Sequence, residues 1–177
     1  MPETSLITIV QLTLILFFLS AMVSILWSTI RYGIPPMPSN KESRQTMLDF
    51  VPEPTPKIMF DLGSGWGGFA YQLAHKYPDS TIYGYECSVL PFLFSRLFLR
   101  RENLHFRFQD FQKVAFPADS ILFTYLYPAG MRELSKNPKL RDCWLCSNYF
   151  ALEKQTALKQ RQLNDTFRSI IYLYRID

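Results

Sequence analysis

The 177-residue chain is 48% hydrophobic and carries 19 lysines and arginines against 15 acidic residues, a net charge of +4. That length holds one domain with an appendage and an ample core, and the basic residues are too few and too scattered to imply a nucleic-acid partner. Three cysteines cannot all pair with one another, which suits a reducing compartment.

From Thr4 through Ile30 no residue is charged, and Leu, Ile, Val, Phe, Met and Trp dominate. A helix of about 20 apolar residues crosses the hydrocarbon layer, so residues 1–31 read as a transmembrane anchor. The small hydroxyls of Thr13, Ser20 and Ser24 can bond back onto such a helix. A cleaved signal peptide would want a basic start, a shorter apolar run and a small-residue cleavage site. A helix buried in a core would need a larger protein to hide in. Arg31, Lys41 and Arg44 follow the run while Glu3 precedes it, so the positive-inside bias leaves everything after residue 30 in the cytoplasm. The expectation is a single-pass protein of a bacterial inner membrane with a cytoplasmic catalytic domain, Trp27 and Tyr32 marking the interface.

Residues 32–55 read as a proline-containing linker and a helix. Pro35, Pro36 and Pro38 favour extended chain. Ser39-x-x-Glu42 has the capping-box pattern, Met47, Leu48 and Val51 follow at helical spacing, and Pro52 and Pro54 stop the element.

Residues 56–177 form the remaining domain. Ile58-Met59-Phe60-Asp61-Leu62 is a short apolar run ending in an acid, followed by Gly63-Ser64-Gly65-Trp66-Gly67-Gly68 and a helix-compatible segment from Phe69 to Tyr77. The pattern predicts a buried strand, a tight turn and a helix N-terminus. Residues without side chains let a ligand lie against the main chain. Asp61 falls at the carboxyl end of the strand, the edge where open α/β sheets bind ligands. An acid before alternate glycines suits a ligand with a cationic amino group rather than a pyrophosphate. The string resembles motif I of class I S-adenosylmethionine (SAM) methyltransferases, whose glycines flank the methionine moiety. A glycine turn without function is the alternative.

Thr81 to Tyr85 predicts a second strand, and Glu86 just past its end is spaced to accept from both ribose hydroxyls. A helix then runs to Arg101 with Phe92, Leu93, Leu97 and Phe98 inward. Leu104 to Phe108 alternates as a strand, with Asp110 placed for an adenine amino group and Phe111 for its ring. Ser120 to Leu126 is a fourth strand, Met131 to Leu140 a helix and loop, Trp144 to Phe150 a fifth strand and Arg168 to Ile176 a last one. The polar stretch from Glu153 to Asp165 reads as an exposed loop or short helix. Strands alternating with helices predict an α/β fold with a doubly wound, Rossmann-like methyltransferase sheet. Cys143-Trp-Leu-Cys146 has no second Cys or His pair nearby, and His75 and His105 stand alone, so no metal is expected.

After the fourth strand, enzymes acting on base amines or glutamine amides commonly carry an Asn/Asp-Pro-Pro-aromatic tetrapeptide; this chain has Tyr125-Leu126-Tyr127-Pro128. A deprotonated lysine amine needs mainly desolvation, aromatic walls and positioning. Tyr125 could serve as a wall, and Tyr127 with Pro128 is the expected positioning pair.

The single span, Pro36-Met37-Pro38-Ser39, Met47-Leu48, the Asp-Leu-Gly-Ser-Gly string, Tyr85-Glu86 and Tyr125-Leu126-Tyr127-Pro128 together resemble the small membrane-anchored protein-lysine methyltransferases. Those include the mitochondrial enzymes for the ATP synthase c subunit and the adenine nucleotide translocase, and bacterial relatives. The resemblance implies S-adenosyl-L-methionine as cofactor, Pro38 and Ser39 lining its pocket, and a lysine of a protein at or in the bilayer as acceptor. Trp66 and Phe69 depart from the small, acidic or polar residues usual there. A lipid or small-amphiphile methyltransferase and a silent SAM-binding assembly factor are the rival readings.

Overall fold

A computed structural model describes residues 2–32, 39–153 and 155–176. Pro35, Pro36 and Pro38 lie outside the described residues, as do the side chains of Trp27 and Tyr32. Contacts divide the chain into two compact units, Met1–Pro36 and Met37–Asp177.

The first unit is one helix, α1 (Pro2–Tyr32). Its Leu6–Val23 window has a mean hydropathy of 2.5 and none of it is buried, so by length and composition it can cross a bilayer. Thr13 Oγ donates to the Ile9 carbonyl and Ser20 Oγ to that of Phe17, both at 2.8 Å. The hydroxyls are thereby satisfied within the helix, as an apolar surrounding demands.

The second unit is built on a seven-stranded sheet of order β3-β2-β1-β4-β5-β7-β6. Its strands are β1 (Ile58–Leu62), β2 (Thr81–Glu86), β3 (Leu104–Phe108), β4 (Ile121–Thr124), β5 (Cys143–Asn148), β6 (Lys159–Gln162) and β7 (Ile170–Ile176). The first five are mutually parallel; β7 runs antiparallel to β5, and β6 antiparallel to β7. β1 and β4 are buried nearly throughout, as central parallel strands covered on both faces must be.

The helices are α2 (Lys41–Asp49), α3 (Gly68–Lys76), α4 (Val89–Phe98) and α5 (Pro128–Ser135). Met47, Leu48 and Phe50 from α2 and its end pack with Phe69, Ala70, Leu73 and Ala74 of α3 onto Met59, Ile82, Phe106, Ile121 and Phe123 of the sheet. The pre-motif helix therefore belongs to the domain core. Phe60 stacks on Tyr83 and Tyr85 with ring centroids 5.4 and 5.7 Å apart.

Three expectations change. Asn40, not Ser39, caps α2, its Oδ1 accepting from the Ser43 N–H at 2.7 Å; Glu42 instead accepts from the Asn164 N–H. On α4 only Pro91, Phe92 and Ser95 are buried, whereas Leu93, Leu97 and Phe98 face solvent. The polar stretch from Glu153 to Asp165 contains the edge strand β6, all of whose residues are exposed. Lys159 and Arg161 alternate along β6 over the Phe50 ring, 4.5 and 5.6 Å from its centroid. Period-two cations holding an edge strand carry no apolar signal.

Candidate active site

β1 ends by delivering Asp61 and Leu62 to the carboxyl edge of the sheet, and the chain turns there through Gly63, Gly65 and Gly67, all with positive φ. The N–H groups of Gly63 and Ser64 both donate to the Tyr85 carbonyl at 2.9 Å, pinning the turn to the end of β2. A Cβ on Gly65 would meet nothing within 4 Å, so that side of the turn is open space. A Cβ on Gly67 would lie 2.6 Å from the Phe106 ring and 2.8 Å from Ser95 Cβ, so that glycine is there for packing.

Asp61 is 8% exposed and accepts a hydrogen bond from the Ala70 backbone. Burial, with a smaller contribution from Glu86, raises its pKa from 3.8 to about 7. No lysine or arginine among the described residues pairs with it. A buried carboxylate without a cation is costly, and a ligand ammonium beside it would restore the ionised form.

Glu86 holds the turn from the other side. Its Oε2 accepts from the Gly65 N–H at 2.7 Å, and its Oε1 from the N–H groups of Cys87 at 2.9 Å and Ser88 at 2.6 Å. One lone pair on Oε2 remains for a hydroxyl. Asp110 caps the short 3₁₀ turn Phe111–Lys113, Oδ1 accepting from the Gln112 N–H at 3.0 Å, while Phe111 is half-buried beside it. Ser64 Oγ is buried without a partner and is 3.0 Å from the position a Cβ on Gly84 would take. Ser39 is half-buried just before Asn40.

Arg44 was read in the sequence only as part of a basic flank. Its Nε is buried without a hydrogen bond, and its Nη1 lies 3.7 Å from where a Cβ on Gly68 would stand, at the start of α3. The guanidinium thus faces the helix N-terminus beside the glycine turn, where an anionic group is favoured.

Tyr127 caps α5 and its ring covers Gly130, while Pro128 is the exposed first helical residue. Further residues gather at the carboxyl ends of β4 and β5. Tyr125 follows β4, and the Tyr125 hydroxyl is raised above its usual range by burial and, less, by the neighbouring Tyr149 and Asp165. Asn148 ends β5 at 1% exposure with neither end of its carboxamide bonded. Tyr149 follows it with φ 74°, a conformation that non-glycine residues adopt at some cost. Asp165 accepts from Ser169 Oγ at 2.6 Å, from the Ser169 N–H at 2.8 Å and from Asn40 Nδ2 at 2.8 Å, which together hold its carboxyl below the usual range. A polar residue closing an otherwise apolar strand was the one legible sign of Asn148; Asp165 carries no such sign.

Cys143 and Cys146 lie three residues apart on β5 and therefore point to opposite faces. Burial pushes the Cys143 thiol up to about 11 and that of Cys146 further, leaving both unreactive. No group of His, Cys, Asp and Glu able to hold a metal occurs among the described residues.

No family model matches the chain, and no curated protein matches it. Among solved structures it is similar to an RNA methyltransferase from Salinibacter ruber in complex with S-adenosyl-L-homocysteine, at 20% identity and TM-score 0.65 over 79% of this chain and 94% of that one. It is also similar to the B. subtilis tRNA methyltransferase TrmK, at 12% identity and TM-score 0.62 over 78% of this chain and 67% of that one. An uncharacterised protein from Listeria monocytogenes serotype 4b matches at 12% identity and TM-score 0.59 over 79% of this chain and 69% of that one. At these identities the likeness is one of fold, and it agrees with the strand order: the second unit has the mixed α/β, doubly wound architecture of the SAM-dependent methyltransferases.

Proposed function

We propose that the chain is a SAM-dependent methyltransferase, anchored by α1, that methylates a lysine amine of a protein at or in the membrane. The observation that carries the cofactor is Asp61, a buried carboxylate without a cation beside a glycine turn whose Gly65 side is open. Asp61 would hold the methionyl ammonium, Arg44 the carboxylate, Glu86 one ribose hydroxyl, and Asp110 with Phe111 the adenine. The glycines, with Ser64, would line the methionine. S-adenosyl-L-methionine supplies a methyl group made electrophilic by its sulfonium.

The acceptor side is the work of Tyr125, Tyr149, Asn148 and Asp165. Two aromatic rings and an ionised carboxylate favour a cationic amine over a neutral one. The unbonded Asn148 carboxamide offers an oxygen to orient it. The chain's contribution to rate is positioning and exclusion of water, since the amine is nucleophilic once its proton has left to solvent. Cytoplasmic placement follows from Arg31, Lys41 and Arg44 after the span.

RNA is the second reading, because the Salinibacter ruber and B. subtilis proteins of the same fold are RNA and tRNA methyltransferases. Membranes and RNA from a strain lacking the protein, incubated with the purified full chain and methyl-labelled cofactor, separate the readings. Label on a lysine of a membrane protein supports the proposal. Label in RNA, or in lipid extracted into organic solvent, replaces the acceptor. Tight cofactor binding without transfer to any fraction leaves a silent binding protein.

A further inference from the structure

Helix α4 turns a contiguous apolar face to solvent. Leu93, Phe94, Leu97 and Phe98 share that face, with exposures from 40% for Phe94 to 70% for Phe98, and Val89 sits one turn earlier. Phe94 links them, its ring centroid 5.0 Å from that of Phe98 and 5.2 Å from that of Trp66, itself 48% exposed in the cofactor turn. Burying these groups against one another is not an option the fold takes; the inward face is already filled by Pro91, Phe92 and Ser95. A patch of large apolar side chains this continuous marks a contact surface.

The charges around it choose the occupant. Arg96 lies over the Phe92 ring at 5.8 Å, Arg100 and Arg101 follow the helix, and no acidic residue falls between Cys87 and Arg101. A second copy meeting this face across a two-fold axis would set arginine against arginine. Arg101 turns aside over the Tyr71 ring at 5.8 Å, and an anionic lipid surface pairs with the exposed Arg96 and Arg100 while taking the aromatic and aliphatic groups into its acyl boundary. At ten residues α4 is too short to cross a bilayer and of a length to lie along one.

We propose that the exposed face of α4, together with Trp66, docks on the surface of an anionic lipid bilayer. The inference rests on the anchoring by α1 proposed above, which brings lipid within reach. Docking sets the cofactor turn, through Trp66, at the lipid surface, so an acceptor amine need project only a short way from the membrane to be methylated.

The test uses full-length chains that each keep one of the three tryptophans, Trp27, Trp66 or Trp144, the other two replaced by Phe. Each is reconstituted in nanodiscs of equal phosphatidylcholine and phosphatidylglycerol, with and without dibrominated acyl chains. The Trp27 and Trp66 chains are expected to lose about half their emission to the brominated lipid, and the Trp144 chain to keep its own. Leu97→Glu with Phe98→Glu, both exposed positions, should abolish quenching of Trp66 and leave that of Trp27. Quenching of Trp27 without Trp66 overturns the docking and leaves the anchor standing. Absence of both overturns the two together, and Trp66 quenching that survives the double substitution overturns the assignment to this face.

Discussion

The Gly65 N–H donates to Glu86 Oε2 at 2.7 Å, joining the glycine turn after β1 to the end of β2 across 21 residues of sequence. The other oxygen of the same carboxylate accepts from Cys87 and Ser88, so Glu86 shapes two loops at once. A ribose hydroxyl would meet an acceptor already fixed in place.

Glu86→Gln removes one of these acceptors and puts an NH₂ group where an N–H must be received. Either the glycine turn or the start of α4 loses its partner. A buried hydrogen bond to a charged group is worth about 1.5 to 3 kcal/mol, so cofactor affinity should fall about tenfold to a hundredfold, with a lower melting temperature. Calorimetric titration of the purified chain with S-adenosyl-L-homocysteine measures the first, and thermal unfolding the second.

Asp61 makes binding depend on pH. In the folded chain its pKa lies at about 7, against 3.8 for an unperturbed side chain, so between those values the folded state holds a proton that the unfolded state has released. Stability of the ligand-free chain is therefore lost as pH rises through that window. A cationic ligand favours the ionised form and expels the proton. Affinity for SAM should climb from about pH 5 to about pH 7 and then level, with proton release visible as a buffer-dependent binding enthalpy. Asp61→Asn should flatten the profile; an unchanged slope would remove Asp61 from the site.

The glycine turn was legible because glycine runs and strand-end acids declare themselves locally: Asp61 and Glu86 fall at the carboxyl ends of β1 and β2, with Gly65 in the turn between β1 and α3, as the pattern predicts. The five parallel strands were legible for the same reason, since parallel buried strands read as apolar runs. The grouping of Asn148, Tyr149 and Asp165 was not. They come to one end of the sheet because β7 returns antiparallel beside β5 and carries the 165–169 loop to its end. The outward face of α4 misled for a different reason: Pro91, Phe92 and Ser95 take the covered side and leave most of the large apolar side chains outward, the reverse of the usual amphipathic rule. β6 escaped because its pairing with β7 and the cation–π contacts of Lys159 and Arg161 with Phe50 hold it, not hydrophobic alternation.

Gly65 and Gly67 separate binding from folding within one turn. Both have positive φ, but only Gly67 is hemmed in, by Phe106 and Ser95. Gly65→Ala should cost about 1 kcal/mol of stability for the left-handed backbone and abolish cofactor binding, because the new methyl group occupies the open side. Gly67→Ala adds a clash that ring and helix must absorb and should cost about 3 kcal/mol or more. Thermal unfolding beside titration with S-adenosyl-L-homocysteine distinguishes them; loss of binding at Gly67 alone would reverse the assignment.

Asn148 offers the sharpest separation of stability from function. Its carboxamide is buried with both ends unbonded, an arrangement that costs about 1 to 3 kcal/mol for each unmet group. Folding gains nothing visible from it, whereas the proposed acceptor amine would give its oxygen a partner. Asn148→Leu keeps the branched shape, adds a little volume and removes the orphaned polar atoms. The variant should melt higher than the parent, bind S-adenosyl-L-homocysteine with unchanged affinity, and transfer methyl groups at least about tenfold more slowly, as loss of one positioning hydrogen bond predicts. Asp165→Asn, which removes the charge and leaves one acceptor oxygen for either the Ser169 N–H or the Asn40 Nδ2 but not both, should lower the melting temperature and raise KM for the cationic acceptor more than it lowers kcat. A stabilised Asn148→Leu chain with full transfer would mean that the amine is held elsewhere on the edge between β4 and β5.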